Sequence, residues 1–503
     1  MTRRKNTSRL FALVLGALIM HGCGTSTTDK TVLYPVADDP TVSFRIWFPV
    51  GSQQDPPGKE GLALLTSAML SEGGTAVNTY EQILEKLNPL AAGYSSSTDK
   101  EMTIISGRTH KDNLEAYYTL FTDAILRPGF REDDFTRVKS DLLNGIEKQL
   151  RYSSDEELGK AALYDFIFAG TPYGHLDEGT VEGLKSITLD DVKAFYKTHY
   201  TKDAVVIGLG GGYDKALTER LEKDLAALPA GKTAIPAAPA PEKIDGLQIT
   251  MVEKDCDATA ISFGFPIDVL RGDADFFALA LFNSWFGEHR NSSSHLYQVI
   301  REKRGMNYGD YSYIEMFPNG GRLQMPQPNT PRRRQLFEVW VRPVQHAQRH
   351  FALRAALREL KFAVEKGMSK EDFDLTKQFL TKYALHFAST TSERLGVAID
   401  SRFYGISGDY IERYRKEIGA LTLEQVNAAI KKHLQCTDLK IAMVTKGAEQ
   451  FKADLVANTP SPIVYTSPKP ADVLAEDKDI EIFPLSVKAE NVRIVPVEQM
   501  FQK

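Results

Sequence analysis

Cysteine is scarce in this chain. Cys23, Cys256 and Cys436 are the three in 503 residues, which excludes a disulfide framework. A basic excess is also missing: 61 Lys and Arg face 66 Asp and Glu, a net charge of −5. That argues against nucleic acid as a partner, because nucleic-acid binding wants a basic surface. No apolar run approaches the ~20 residues that a membrane-spanning helix needs. There is no G-x-S-x-G nucleophile elbow and no H-E-x-x-H zinc helix. Gly208-Leu-Gly-Gly-Gly212 follows a strand pattern but lacks phosphate-loop spacing and its lysine, so it reads as the turn at a strand end. What is present is ordinary globular composition, 42% hydrophobic and 25% charged, which excludes wholesale disorder, collagen-like repeats and a coiled-coil rod. Length alone predicts about three domains at ~150 residues each.

The beginning of the chain has its own pattern. Arg3, Arg4, Lys5 and Arg9 precede Leu10–Met20, an unbroken run of 11 apolar or Gly residues, and the run leads to His21-Gly22-Cys23. Basic start, short apolar stretch and a small residue before cysteine resemble a bacterial lipoprotein signal, with a plain cleaved signal peptide as the alternative. The expectation is a leader over 1–22, a lipid on Cys23 and a polar tether over 23–30. Loss of four basic residues with the leader takes the net charge from −5 to −9. The body is then expected outside the cytoplasm, lipid-anchored in the cell envelope and facing the periplasm. Gly24 after the cysteine points to the outer membrane by resemblance to bacterial sorting practice.

An internal repeat replaces the three-domain expectation with two halves. Phe44-Arg-Ile-Trp-Phe-Pro-Val50 matches Ile261-Ser-Phe-Gly-Phe-Pro-Ile267. Gly129-Phe-Arg-Glu-Asp-Asp-Phe135 matches Gly367-Met-Ser-Lys-Glu-Asp-Phe373, and Leu184–Val192 matches Ile418–Val426. Pro49 and Pro266 are 217 apart, Gly129 and Gly367 are 238 apart, and Thr188 and Thr422 are 234 apart. The shorter first offset places an insertion in the second half, and Gly320–Pro331 with Arg332, Arg333 and Arg334 is the candidate. The predicted organisation is a first half over 31–233, a Pro/Ala linker over 234–243, a second half over 244–450 and an ordered extension over 451–503. Strand patterns open and close each half with amphipathic helices between. The fold class is therefore α+β: two homologous α/β-sandwich halves, each an antiparallel sheet covered by helices. Thr188 with Asp191 and Thr422 with Gln425 read as helix N-caps.

The second half carries the most specific motif. Ser294-His-Leu-Tyr-Gln-Val-Ile-Arg301-Glu-Lys-Arg-Gly305-Met-Asn-Tyr308 resembles the S-x-L-[FY]-x-x-[LIV]-R-E-K-x-G-L-x-Y pattern of the insulinase/pitrilysin metallopeptidases. This is the inverted zinc-motif family that includes mitochondrial processing peptidase, and the resemblance covers nearly all of the chain to about residue 450. It implies that Arg301 and Tyr308 bind the substrate backbone and stabilise the transition state. A guanidinium and a phenol are suitable donors to a carbonyl oxygen gaining negative charge.

The same resemblance exposes a loss. Active members read G-x-A-H-F-L-E-H-M, whereas the chain reads Gly61-Leu-Ala63-Leu64-Leu65-Thr66-Ser67-Ala68-Met69. Leu64 and Ala68 replace both His ligands, Ser67 replaces the general-base Glu, and Asn144 stands where the third ligand falls. Glu147 is near in sequence, but a catalytic zinc needs three protein ligands. No metal or cofactor is expected in this chain. His346 and His350 have an i, i+4 spacing, but Arg349 occupies the base position, so they read as solvated histidines on a surface helix. Cys256 and Cys436 read as core thiols.

Two functions stay open. The leading one is the non-catalytic subunit of a heteromeric, insulinase-like zinc peptidase. Its zinc-bearing homologous partner would cleave an extended peptide substrate, and this chain would supply Arg301 and Tyr308. The alternative is a purely structural or binding pseudo-peptidase. An independent peptidase with an unrecognised site is a third, weaker possibility.

Overall fold

The computed structural model describes residues 26–27, 30–317 and 325–503. Cys23 and the leader lie outside the described residues. Among the described residues, no helix is long and apolar enough to cross a membrane.

Two six-stranded sheets form the frame. The first contains β1 (Ser26–Thr27), β2 (Thr31–Pro35), β3 (Thr41–Phe48), β4 (Gly93–Thr98), β5 (Thr103–His110) and β6 (Val206–Gly211), in the order β1-β2-β6-β3-β5-β4. The second contains β7 (Leu247–Glu253), β8 (Ala258–Ile267), β9 (Asp310–Tyr313), β10 (Gln335–Gln345), β11 (Leu439–Thr445) and β12 (Val492–Pro496), in the order β12-β7-β11-β8-β10-β9. Setting aside the outermost β1 and β12, the two orders are the same. Each sheet is mostly antiparallel, with β2 parallel to β6 and β7 parallel to β11. The architecture is thus the expected two-halved α+β sandwich.

The repeated segments occupy equivalent places. Phe44–Phe48 lies in β3 and Ile261–Ile267 in β8. Thr188 and Thr422 each cap a helix by accepting from the third backbone N–H, and the residue there bonds back, a reciprocal arrangement that satisfies two orphan donors. The glycines at 208–211 are inside β6 rather than in a turn after it. The strand needs them there, because a helix presses on that face.

Four helices carry the functional argument: α1 (Leu62–Ser71), α2 (Glu132–Asn144), α3 (Asp155–Phe168) and α4 (Thr391–Phe403). The last two are exchanged between halves. Helix α3 belongs to the first half but lies on β8 and β11 of the second sheet, whereas α4 belongs to the second half but lies on β2 and β6 of the first. Their N-caps, Ser154 and Thr390, are 236 residues apart, so the helices are the same element used twice. Leu395 and Ile399 of α4 are fully buried with Trp47, Ile104 and Val206 of the first sheet. Burial of such side chains contributes roughly 1.5–3 kcal/mol each. The 451–503 extension adds β12 to the second sheet and then reaches the first half, where Arg151 donates to the carbonyl of Met500.

Candidate functional site

The face of α1 that would hold zinc is present as backbone and altered as chemistry. Asp55 anchors the helix start, accepting from the N–H groups of Gly61 and Ala63, both at 2.7 Å. Burial pushes the Asp55 carboxyl up to about 8 despite these bonds. Leu64 is half-buried and Ala68 is buried. Ser67 donates to the carbonyl of Leu64 at 2.9 Å and accepts from Thr98 of β4 at 2.8 Å. Asn144 ends α2, where the helix widens into a π-helical turn over Gly145–Leu150. Glu147 lies in that turn and pairs with Lys185 at 3.2 Å. Leu and Ala offer no lone pair, and Ser67 is engaged by its neighbours, so these residues do not fit a zinc ion. Among the described residues, no group of three or more His, Cys, Asp or Glu could hold a metal.

His346 and His350 are not the solvated pair expected from their spacing. His346 bonds Thr259 at 2.8 Å and the carbonyl of Cys256 at 2.8 Å. His350 is buried, and desolvation followed by Arg354 and Arg349 pushes its pKa down to about 3. The preceding Arg342 and Pro343 belong to β10, which runs on to Gln345, so strand and helix enclose both rings. Cys256 and Cys436 are half-buried, Cys436 packing against the core of the second half, and burial raises the Cys256 thiol to about 11, which makes it a poor nucleophile.

Arg301 and Tyr308 lie in the second half, in the segment that leads into β9. Arg301 pairs with Glu302, and its guanidinium faces the Tyr297 ring at 5.1 Å. Tyr308 is 79% exposed. The structure places both in one segment and brings neither to α1 by a hydrogen bond or ion pair.

A cavity of about 410 Å³ lies elsewhere, between the halves. Its first-half wall is the π-helical turn, α3 and residues 175–178; its second-half wall is Met316, Phe317, Arg332, Glu338 and Trp340. Lys160 of α3 stands 3.6 Å from the centre of the Trp340 ring, a cation–π contact. A chain of charges closes one end. Arg332 grips Asp99 bidentately at 2.6 and 2.8 Å and reaches Asp177 at 3.4 Å, and Lys100 meets Asp177 at 2.9 Å. Burial raises Asp177, but Lys100 and Arg332 more than offset it and hold the carboxyl low. For Glu338 burial outweighs the opposing influence of Trp340, Lys160 and Arg332 and lifts the carboxyl to about 7.

Residues 325–334 are the described part of the predicted insertion, and they tie the halves together. Arg332 and Arg333 cross to Asp99 and Glu101 in the β4–β5 connection. Asn329 donates its backbone N–H to Asp400 of α4 at 2.9 Å and accepts from Arg45 of β3. Sequence reading missed this strap and the cavity, because both depend on contacts between residues far apart in the chain, 71 positions for Asn329 and Asp400 and 233 for Arg332 and Asp99. The run of three arginines was the available signal.

Comparison with known proteins agrees with this architecture. Residues 31–174 match the family described as Insulinase (Peptidase family M16), and residues 186–380 match the Peptidase M16 inactive domain. A Helicobacter pylori protein named "Non-peptidase homolog YmxG" is 26% identical over 399 residues, covering 76% of this chain and 84% of that protein. An uncharacterized zinc protease of Streptomyces coelicolor is 24% identical, covering 66% of this chain and 69% of its own length. The crystal structure of a peptidase M16 inactive domain from Pseudomonas fluorescens superposes with a TM-score of 0.73 at 26% identity, over 84% of this chain and 98% of that one. With Leu64, Ser67, Ala68 and Asn144 at the positions where zinc ligands and the general base were expected, the chain belongs to the insulinase family, peptidase family M16.

Proposed function

We propose that the chain is the non-catalytic subunit of a heteromeric insulinase-like zinc peptidase, held in the bacterial envelope through a lipid on Cys23. A zinc-bearing homologous subunit supplies the metal-activated water. This chain supplies Arg301 and Tyr308, which bind the extended peptide substrate and donate to the oxyanion. The observation that carries the reading is the pairing of an emptied zinc face with a tyrosine that stands 79% exposed, where a second chain can reach it. The open edge of β4, with side chains alternately exposed and half-buried, suits a substrate added as a strand.

The test is peptide cleavage by the purified chain with and without its zinc-bearing partner. The expected result is chelator-sensitive cleavage by the pair alone, falling at least tenfold with Arg301→Ala in this chain. Robust chelator-sensitive cleavage by this chain alone would sink the reading. The Arg301–Glu302 ion pair favours a second reading, a purely structural or binding pseudo-peptidase with Arg301 and Tyr308 as relics. That reading gains if Arg301→Ala leaves the pair's activity unchanged.

A further inference from the structure

We infer that Arg304 is a positioning residue for Arg301, and that the 451–503 extension holds it in place through Glu476 and Asp477. The inference rests on the reading in which Arg301 acts on substrate, and it names what fixes that residue.

Arg301 has little of its own to fix it. Its side chain is 35% exposed, and the partners described above, Glu302 and the Tyr297 ring, lie on its own turn. Where the guanidinium stands therefore depends on the backbone beneath it. That backbone is a π-helical turn over Tyr297–Glu302. Such turns are rare and gather at functional sites.

Two anchors bracket the turn, and one chain of charges joins them. Before it, His295 meets Glu359 at 2.7 Å. After it, Arg304 is 3% exposed and uses every arm of its guanidinium. Nη1 donates to the carbonyl of Val299, inside the turn, at 2.7 Å. Nε donates to Asp477 and Nη2 to Glu476, both at 2.8 Å. Arg358 closes the chain by donating to Glu359 at 2.7 Å and to Glu476 at 3.0 Å. Glu359 and Arg358 belong to the helix Arg349–Lys366, and Glu476 and Asp477 to the helix Ala471–Ile480 of the extension. Arg304 thus ties the turn that carries Arg301 to a helix more than 170 residues further along the chain.

Both carboxylates on Arg304 come from the extension, and the extension is itself held firmly. Tyr465 donates to Asp477 at 2.7 Å. Arg354 is fully buried and donates to the carbonyls of Asn458, Thr459, Glu481 and Phe483, on either side of the helix Ala471–Ile480. Burial alone would raise the Glu476 carboxyl, but Arg304 and Arg358 hold it below its ordinary value, so the cluster stays ionic at neutral pH. Removing one side of a buried ion pair strands the other charge. The readiest way to rehydrate a stranded Arg304 is for the turn to swing outward, and Arg301 moves with it.

The test uses the full chain with its zinc-bearing partner and a double-mutant cycle. One arm is Arg301→Ala; the other is Glu476→Gln with Asp477→Asn, which keeps shape and removes charge. The expected result is that the charge-removing arm lowers kcat/KM for peptide cleavage at least tenfold when Arg301 is present, and less than twofold further when it is already alanine. Arg304→Lys should retain more activity than Arg304→Ala. In the chain alone, hydrogen exchange of the amides over 299–306 should quicken at least tenfold in the charge-removing variant, while those of β11 keep the parent's rates. Should that variant fail to fold, Tyr465→Phe, which removes only the hydroxyl on Asp477, should give the same pattern at two- to threefold size. Equal losses with and without Arg301 would make the cluster a general brace and overturn the inference. So would unchanged exchange over 299–306. If Arg301→Ala by itself leaves cleavage intact, the cleavage reading fails, and the exchange rates still decide whether Glu476 and Asp477 hold the turn.

Discussion

Helices α3 and α4 are one element used twice, and each solves the same packing problem differently. Against the first sheet the space comes from the strand. Gly208 and Gly210 of β6 leave room for Leu395 and Ile399 of α4, and an added Cβ on Gly208 would lie 2.8 Å from both Ile399 and the Arg45 carbonyl. Against the second sheet the space comes from the helix, where Gly159 of α3 faces Ser262 and Val444. The opposite faces differ more. The chain's own strap seals α4, while α3 borders a cavity of about 410 Å³. Duplication kept the exchange of helices, which both cores require, and left the filling of the two grooves free to diverge.

The largest expected effect comes from cutting the strap at its buried end. Arg332 and Asp99 are both nearly inaccessible and bonded bidentately. A buried ion pair is weak evidence of net stability, but removal of one partner strands the other charge. Arg332→Ala should therefore lower unfolding free energy by about 3–5 kcal/mol in urea denaturation. A loss under 1 kcal/mol would mean the strap does not hold the halves together.

The next effect should distinguish the open groove from the sealed one by pH. Glu338 lines the cavity, and burial raises its folded pKa from 4.5 to about 7. Its stabilising contribution is fully present below about pH 4.5 and is lost as pH rises through about 7. Glu338→Gln cannot ionise, so its stability relative to the parent should grow by about 3 kcal/mol between pH 4.5 and pH 8. Asp400, on the sealed side, is raised less, to about 6, because Arg271 and Asn329 oppose its burial. Parallel pH profiles for Glu338→Gln and parent would show that Glu338 is solvated.

Local chemistry wrote some of this plainly in the sequence and some not at all. The Phe44 and Ile261 strand patterns alternate with period two, and the Thr188 and Thr422 caps act within three residues, so they were legible. The loss at Leu64, Ser67 and Ala68 was legible because ligand chemistry depends on residue type alone. His346 and His350 were misread, because their i, i+4 spacing says nothing about the strand that encloses them. The exchange of α3 and α4 was illegible for a related reason. Amphipathic spacing shows that a helix has a face to bury, not which sheet it meets. Arg332 gave composition without destination, since Asp99 is 233 residues away.

The smallest effects should come from the two glycine solutions, and they should differ in sign. At Gly208 an added methyl meets backbone and a buried side chain at 2.8 Å, and overpacking of this kind costs about 1–3 kcal/mol. At Gly159 the nearest atoms are Ser262 Oγ at 3.6 Å and Val444 Cγ2 at 3.7 Å, which is ordinary contact. Alanine is also the better helix former by about 0.8–1 kcal/mol. Gly208→Ala should therefore lower the melting temperature and Gly159→Ala should raise it by a few degrees, read in the same thermal scan. If Gly159→Ala destabilises as much as Gly208→Ala, both interfaces are packed to the same limit. The difference between the halves would then lie in the strap and the cavity alone. If the signs differ, the second sheet has slack beneath α3, the helix whose other face is open, and the first has none beneath the strapped α4.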